Sequence, residues 1–151
     1  MSSLQTNSNK INVVFGAGTD LIRIHLRIDN SWSSYEQEGR AQNVLMFLNT
    51  TLEKEKCSID QIDEIGVVME GESFTATRII TVVANTIGYM KNIQVRSLPK
   101  EFATSDDPQK NKLWGETAPA EFVLPQYSGE PTITLKKPLN PQASNLNPQN
   151  I

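Results

Sequence analysis

Of the side chains that most often carry chemistry, this chain of 151 residues has one histidine, His25, and one cysteine, Cys57. One cysteine closes no internal disulfide and builds no multi-thiolate site, and one imidazole nearly excludes zinc fingers and histidine-centred catalysis. His25 stands between Arg23 and Arg27 on the polar side of an alternating run, where it reads as a solvated surface residue. Cys57 lies at a helix end and reads as incidental, in a compartment expected to be reducing. Two-metal nuclease chemistry needs several carboxylates converging on one face. The acids near the first strands and first helix, Asp20, Asp29 and Glu53, do not share one.

Two segments could approach a phosphate. In Phe15-Gly16-Ala17-Gly18, small residues would let backbone amides close on an anion, but no carboxylate able to handle a metal occurs before Asp20. A glycine-containing hairpin turn is the alternative reading. The second segment, Glu70-Gly71-Glu72-Ser73, opens a helix whose N-terminus favours negative charge, yet its two carboxylates occupy that place. A like charge about 4 Å away costs on the order of 4 kcal/mol at an effective dielectric near 20. No tight ATP binding, no metal and no cofactor are expected, with Ser73 as helix N-cap and Phe74 as packing. Arg78 is either a ligand for an anion or a partner carboxylate, or a solvated ion pair with Glu70 or Glu72.

The composition sets the frame for these residues. Fourteen basic and 17 acidic residues give a formal charge of −3 without a Lys/Arg stripe, so nucleic acid would be met only through a partner. Apolar runs are only a few residues long, against roughly 20 for a membrane span, and a soluble cytoplasmic protein is expected. All eight prolines fall after residue 98. Ladders and helices can run unbroken before that point and are interrupted after it. The expected organisation is a flexible N-terminus over 1–10, one domain over 11–98, an extended tail packing on it over 99–137, and disorder over the Asn/Gln/Pro-rich residues 138–151.

Within the domain, residues 11–15 form an apolar run, and 21–28 alternate, with Ile22, Ile24, Leu26 and Ile28 on one face. Residues 16–20 supply the turn of this hairpin, and Asp29-Asn30 leads to a third strand over 32–38. A helical period over 39–56 places Val44, Leu45, Leu48 and Leu52 on the arc facing the sheet. A buried strand over 64–69 precedes a helix over 74–91, with Ala76, Ile79, Ile80, Val83, Ile87 and Met90 facing inward, and a fifth strand over 93–97. The order β-β-β-α-β-α-β predicts an α/β five-stranded mixed sheet. It is the succession of the ribonuclease H-like fold, which is also half of an actin-like ATPase.

Residues 58–98 resemble the N-terminal domain of the TsaB (YeaZ-like) family. That family carries Gly-Pro-Gly-Ser-Phe-Thr-Gly-Leu-Arg between a strand and a helix, and Ser73, Phe74, Thr75 and Arg78 hold the matching positions. Ile59, Asp60, Ile62 and Asp63 match the lead-in to that strand, and Val44-Leu45 with residues 48–52 resemble the family's first helix. Leu124-Pro125-Gln126-Tyr127, Glu130-Pro131, Ile133-Thr134 and Lys136-Lys137 are similar to the family's carboxyl terminus. The family has a second, similar domain between these two pieces, where this sequence has only residues 100–123, so a reduced form is expected.

The resemblance implies a non-catalytic scaffold subunit of the machinery making threonylcarbamoyladenosine in tRNAs that read codons starting with adenine. Its partner would be the TsaD-like threonylcarbamoyltransferase, with a TsaE-like ATPase joining, a homodimer when alone, and tRNA reached only indirectly. The family has been described as protease-like, but no nucleophile and base are paired here. The expected docking face combines Asn43, Met46, Phe47 and Thr50 on the outer side of the first helix with Arg78, Val82, Thr86 and Tyr89 on the second. A tail segment such as residues 122–124 covering that face is the intramolecular alternative. An actin-like ATPase or kinase fragment with residual nucleotide binding, and a free-standing homodimeric interaction module, are the other functional readings.

Overall fold

The computed structural model describes residues 10–69 and 73–124. β1 (Ile11–Gly18), β2 (Leu21–Ile28) and β3 (Ser31–Glu38) form an antiparallel meander. α1 (Val44–Lys54) leads to β4 (Ile62–Val68), and α2 (Phe74–Lys91) leads to β5 (Gln94–Leu98). The sheet order is β3-β2-β1-β4-β5, with β4 parallel to both β1 and β5. The five-stranded mixed sheet and element order expected from the periodicities are therefore present.

The turns follow from residues that tolerate a left-handed backbone. Asp29 and Asn30 both have positive φ (53° and 68°), the pattern of a two-residue hairpin whose twist matches its strands. The first hairpin differs from expectation, because β1 runs through to Gly18, opposite Leu21, and the turn is only Thr19-Asp20. Gly16 and Gly18 sit in the ladder rather than in the loop. Gly39, at φ 146°, redirects the chain from β3 toward α1.

One face of the sheet presents Val13, Phe15, Ile22, Ile24, Leu26, Ile65 and Val67, all buried beneath α1 and α2. The inward stripe of α1 is Val44, Phe47, Leu48, Thr51 and Leu52, spaced i, i+3, i+4, i+7, i+8. The expected arc is rotated, since Leu45 is exposed. Thr51 can take a buried place because its hydroxyl donates to the carbonyl of Phe47, 2.8 Å away. α2 repeats the device, burying Thr77 and Thr81 with hydroxyls donated to Ser73 (2.8 Å) and Thr77 (2.6 Å) while Met90 turns outward. Ser73 caps α2, accepting from the backbone of Ala76 at 3.2 Å.

The second face is where expectation and structure differ most. Instead of an extended tail, a 3₁₀ turn (Lys100–Thr104) and α3 (Asp107–Glu116) follow β5 and cover it. Phe102 and Trp114 join Val14, Trp32, Val68 and Leu98 in a second core. Trp114 lies between two guanidinium groups, 5.3 Å from Arg27 and 4.8 Å from Arg96. Arg96 pairs with Glu64 at 2.7 Å, and Asn111 accepts from both Arg27 (2.9 Å) and the Trp32 indole (3.0 Å). Asp106 caps α3 and Pro108 sits in its first turn, where a proline is tolerated. The remaining expected tail, 125–137, and the expected disorder over 138–151 lie outside the described residues.

His25 is consequently not a surface residue. It is 1% exposed, bonded through Nδ1 to Ser34 at 2.8 Å and edge-on to Phe102 at 5.4 Å, and its Nε2 has no partner. Burial first, then the positive charges of Lys110 and Arg23, push its pKa down to about 4 against the opposing pull of Glu36.

In the unfolded chain His25 titrates near 6.5. As pH falls from there toward about 4, the unfolded state binds a proton that the folded state refuses. His25 therefore favours the fold fully above that window, and up to about 3 kcal/mol is lost across it. Urea titrations at several pH values should show a flatter dependence for His25→Gln; equal slopes would contradict the assignment. At Gly66 an added Cβ would stand 2.7 Å from Leu98 Cδ1 and 3.1 Å from Trp114 Cζ3. Gly66→Ala is expected to cost about 1–3 kcal/mol in the same assay.

Candidate interaction surface

With both faces of the sheet covered, the outer sides of α1 and α2 become the site to examine. The helices share one core, and the 3₁₀ turn Ala41–Asn43 that opens α1 packs against α2. Of the residues expected to face a partner, Asn43, Met46, Thr50, Arg78, Val82, Thr86 and Tyr89 are exposed. Met46 is 70% exposed, Val82 61% and Tyr89 87%. Phe47 is corrected: it is 7% exposed and belongs to the core with Val44 and Leu48. A residue one position after Met46 is turned about 100° around the helix, so the two cannot share a direction.

Two apolar residues escaped the sequence reading. Leu45 (51% exposed) and Met90 (75%) were assigned to the core arcs because they are hydrophobic, and the buried threonines hold those places instead. The hydroxyl groups of Thr50 and Thr86 donate to Met46 (3.0 Å) and Val82 (2.8 Å), so these polar residues leave no unsatisfied donor on the surface. Phe74, expected as packing, is 53% exposed. Residues 122–124 run beside α2. Val123 is buried, while Phe122 and Leu124 remain 58% and 70% exposed, so they do not cover Val82 or Tyr89.

The residues considered for phosphate and metal chemistry fall into place as follows. The Thr19-Asp20 turn and the start of α2 face each other across an opening of about 180 Å³, lined also by Arg40, Gln42 and Thr75. Glu70 and Glu72, expected beside it, lie outside the described residues. Asp20 and Asp29 stand at opposite ends of β2. Among the described residues no group of three or more His, Cys, Asp or Glu is placed to hold a metal ion. Cys57 is half-buried, with burial and Glu55 raising its pKa. No described helix is long and apolar enough to cross a membrane.

No protein-family model and no curated protein matches the chain. Solved structures do. The chain superposes on YeaZ from Pseudomonas aeruginosa with a TM-score of 0.54 and 16% identity, covering 60% of this chain and 44% of that one. A second crystal structure, of an uncharacterized protein with similarity to peptidase YEAZ from Pseudomonas aeruginosa, gives a TM-score of 0.55 at 16% identity, over 60% and 43%. The chain thus spans less than half the length of either structure. Over the superposed residues it shares the fold of part of YeaZ, the ribonuclease H-like arrangement expected from its order of strands and helices.

Proposed function

We propose that this chain is a non-catalytic TsaB-like scaffold in the machinery that makes threonylcarbamoyladenosine in tRNA. It docks the TsaD-like transferase through the outer faces of α1 and α2. The reading is supported above all by Met46, Val82, Tyr89 and Met90, large apolar side chains left in solvent on helices whose inner faces already fill the core. They surround uncharged polar groups, Thr50 and Thr86, whose hydrogen bonds are already made. Those two hydroxyl groups can be dried without stranding a donor. Arg78, exposed near the start of α2, is positioned to meet a partner carboxylate at the rim.

In this reading the reaction centre, any metal and most RNA contact belong to the transferase. A TsaE-like ATPase joins the assembled pair, and the same helical face closes a homodimer when the partner is absent. The complex is cytoplasmic. A second reading, a nucleotide-binding actin-like fragment, draws on the opening between Thr19-Asp20 and Ser73. ATP binding by the isolated chain, abolished by a bulky residue at Gly18, which lines that opening, would favour it.

Co-expression with the TsaD-like protein of the same organism, followed by size exclusion, tests the first reading. A stable complex is expected, with threonylcarbamoyladenosine lost when the gene is deleted. Separate elution with an unchanged nucleoside overturns it. Tyr89→Asp should weaken the complex at least tenfold with its melting temperature preserved, as expected for an exposed aromatic anchor. Phe47→Asp should instead collapse the monomer, because it places a charge in the core; circular dichroism melting separates the two outcomes.

A further inference from the structure

We infer that residues 99–119, the cover of the second face, form an acid-released flap: a proton taken up by His25 frees it from the sheet while α1 and α2 stay packed on the other side.

The flap is a loop with both feet on one strand. It leaves β5 at Leu98, whose carbonyl accepts from the N–H of Met69 at 2.8 Å. It rejoins the same strand at Ala120, which exchanges both main-chain hydrogen bonds with Val95, at 2.8 and 2.9 Å. Between the feet, Phe102, Leu113 and Trp114 supply its share of the second core, and Asp107 and Asn111 accept from the main chain and the indole of Trp32. Among the described residues, the core beneath α1 and α2 includes none from the flap. A segment that packs only on its own small cluster can open while the rest of a domain stays folded.

His25 lies where the flap closes. Along β2, Ile24 and Leu26 face the helices, so alternation turns His25 toward the flap. Its ring is buried edge-on to Phe102, and the Lys110 ammonium stands over that same phenyl ring at 5.4 Å. Nδ1 is bonded to Ser34 of β3, and Nε2 meets no partner among the described residues. Whichever nitrogen holds the proton of the neutral ring, a second proton makes both of them donors. The closed flap would then bury a cation whose Nε2–H finds no acceptor. The surrounding charges give little relief. Arg23 on β2 and Lys110 on α3 repel the imidazolium, and the attracting Glu36 on β3 is already paired with Arg23 at 2.9 Å. Asp106 and Asp107 act on Lys110, and β1 sets uncharged Val14 opposite the histidine. Lifting the flap returns the ring to water, where it titrates near 6.5 against about 4 when covered. Linkage then raises the population of the lifted state about twentyfold from pH 7 to pH 5, a window above the ordinary carboxylate range.

The test is hydrogen exchange of the full chain read by mass spectrometry, with rates corrected for the intrinsic effect of pH. Amides of the flap are expected to be roughly tenfold or more less protected than those of α1 and α2 at either pH. Their protection should fall about twentyfold between pH 7 and pH 5, and in His25→Gln that fall should vanish while the flap stays the less protected part. Equal protection of flap and helices overturns the flap, because the fold would then open only as a whole. A parent flap indifferent to pH, or a fall that survives in His25→Gln, overturns the role of the histidine. If the glutamine variant fails to fold, His25→Leu replaces it, an apolar side chain being suited to an enclosed site. His25 is also the sole histidine, so its imidazole resonance reports its own titration; a midpoint at the ordinary histidine value in the folded chain overturns the proposal whatever the variants do.

Discussion

Trp114 packs onto the sheet over residue 66, a glycine with no side chain to meet it. A Cβ there would stand 3.1 Å from the indole and 2.7 Å from Leu98 Cδ1, so these side chains would have to shift to admit it. With the indole seated, Arg27 and Arg96 flank it, and each is supplied with an acceptor, Asn111 for the first and Glu64 for the second. Guanidinium groups that would otherwise stand in water become part of a packed layer. The same face carries His25, buried edge-on against Phe102. The chain thereby closes one side of its sheet with its own residues, and the helices on the other side become the layer with apolar groups to spare.

How legible was this in the sequence? The meander was plain, because strict alternation in β2 and the Asp29-Asn30 pair are local signals with a direct backbone cause. The parallel strands and their helices followed from length and period. The helix faces were harder. Thr51, Thr77 and Thr81 are polar by composition but silence their own hydroxyl groups on the preceding turn, so a hydropathy arc put Leu45 and Met90 in places the threonines occupy. Phe47 was assigned outward for the same reason. The error was one of rotation about a helix axis; the helices themselves were correctly placed.

The second face was unreadable for a different reason. Its cover is largely polar in composition: Asp107, Lys110 and Asn111 share α3 with the two apolar residues Leu113 and Trp114. What makes it a cover is pairing across long sequence distances, Arg27 with Asn111 and Arg96 with Trp114, which no local window reveals. The bonding of the Asn85 side chain to the main chain of Val123 is of the same kind, linking residues 38 apart. Of the candidate surface, the exposed positions on α1 and α2 were visible as apolar residues out of phase with their stripe, except those the threonines displaced.

The two rims of the sheet are also unequal. β3 forms one, carrying exposed Glu36 and Glu38 amid serines, a composition that repels an incoming strand. The other, β5, is already engaged by Ala120. Lateral growth of the ladder is thus discouraged on both flanks. A second molecule, were one to add, would have to stack on the helical side, so that small-angle scattering would record a new cross-sectional dimension rather than a lengthened ribbon.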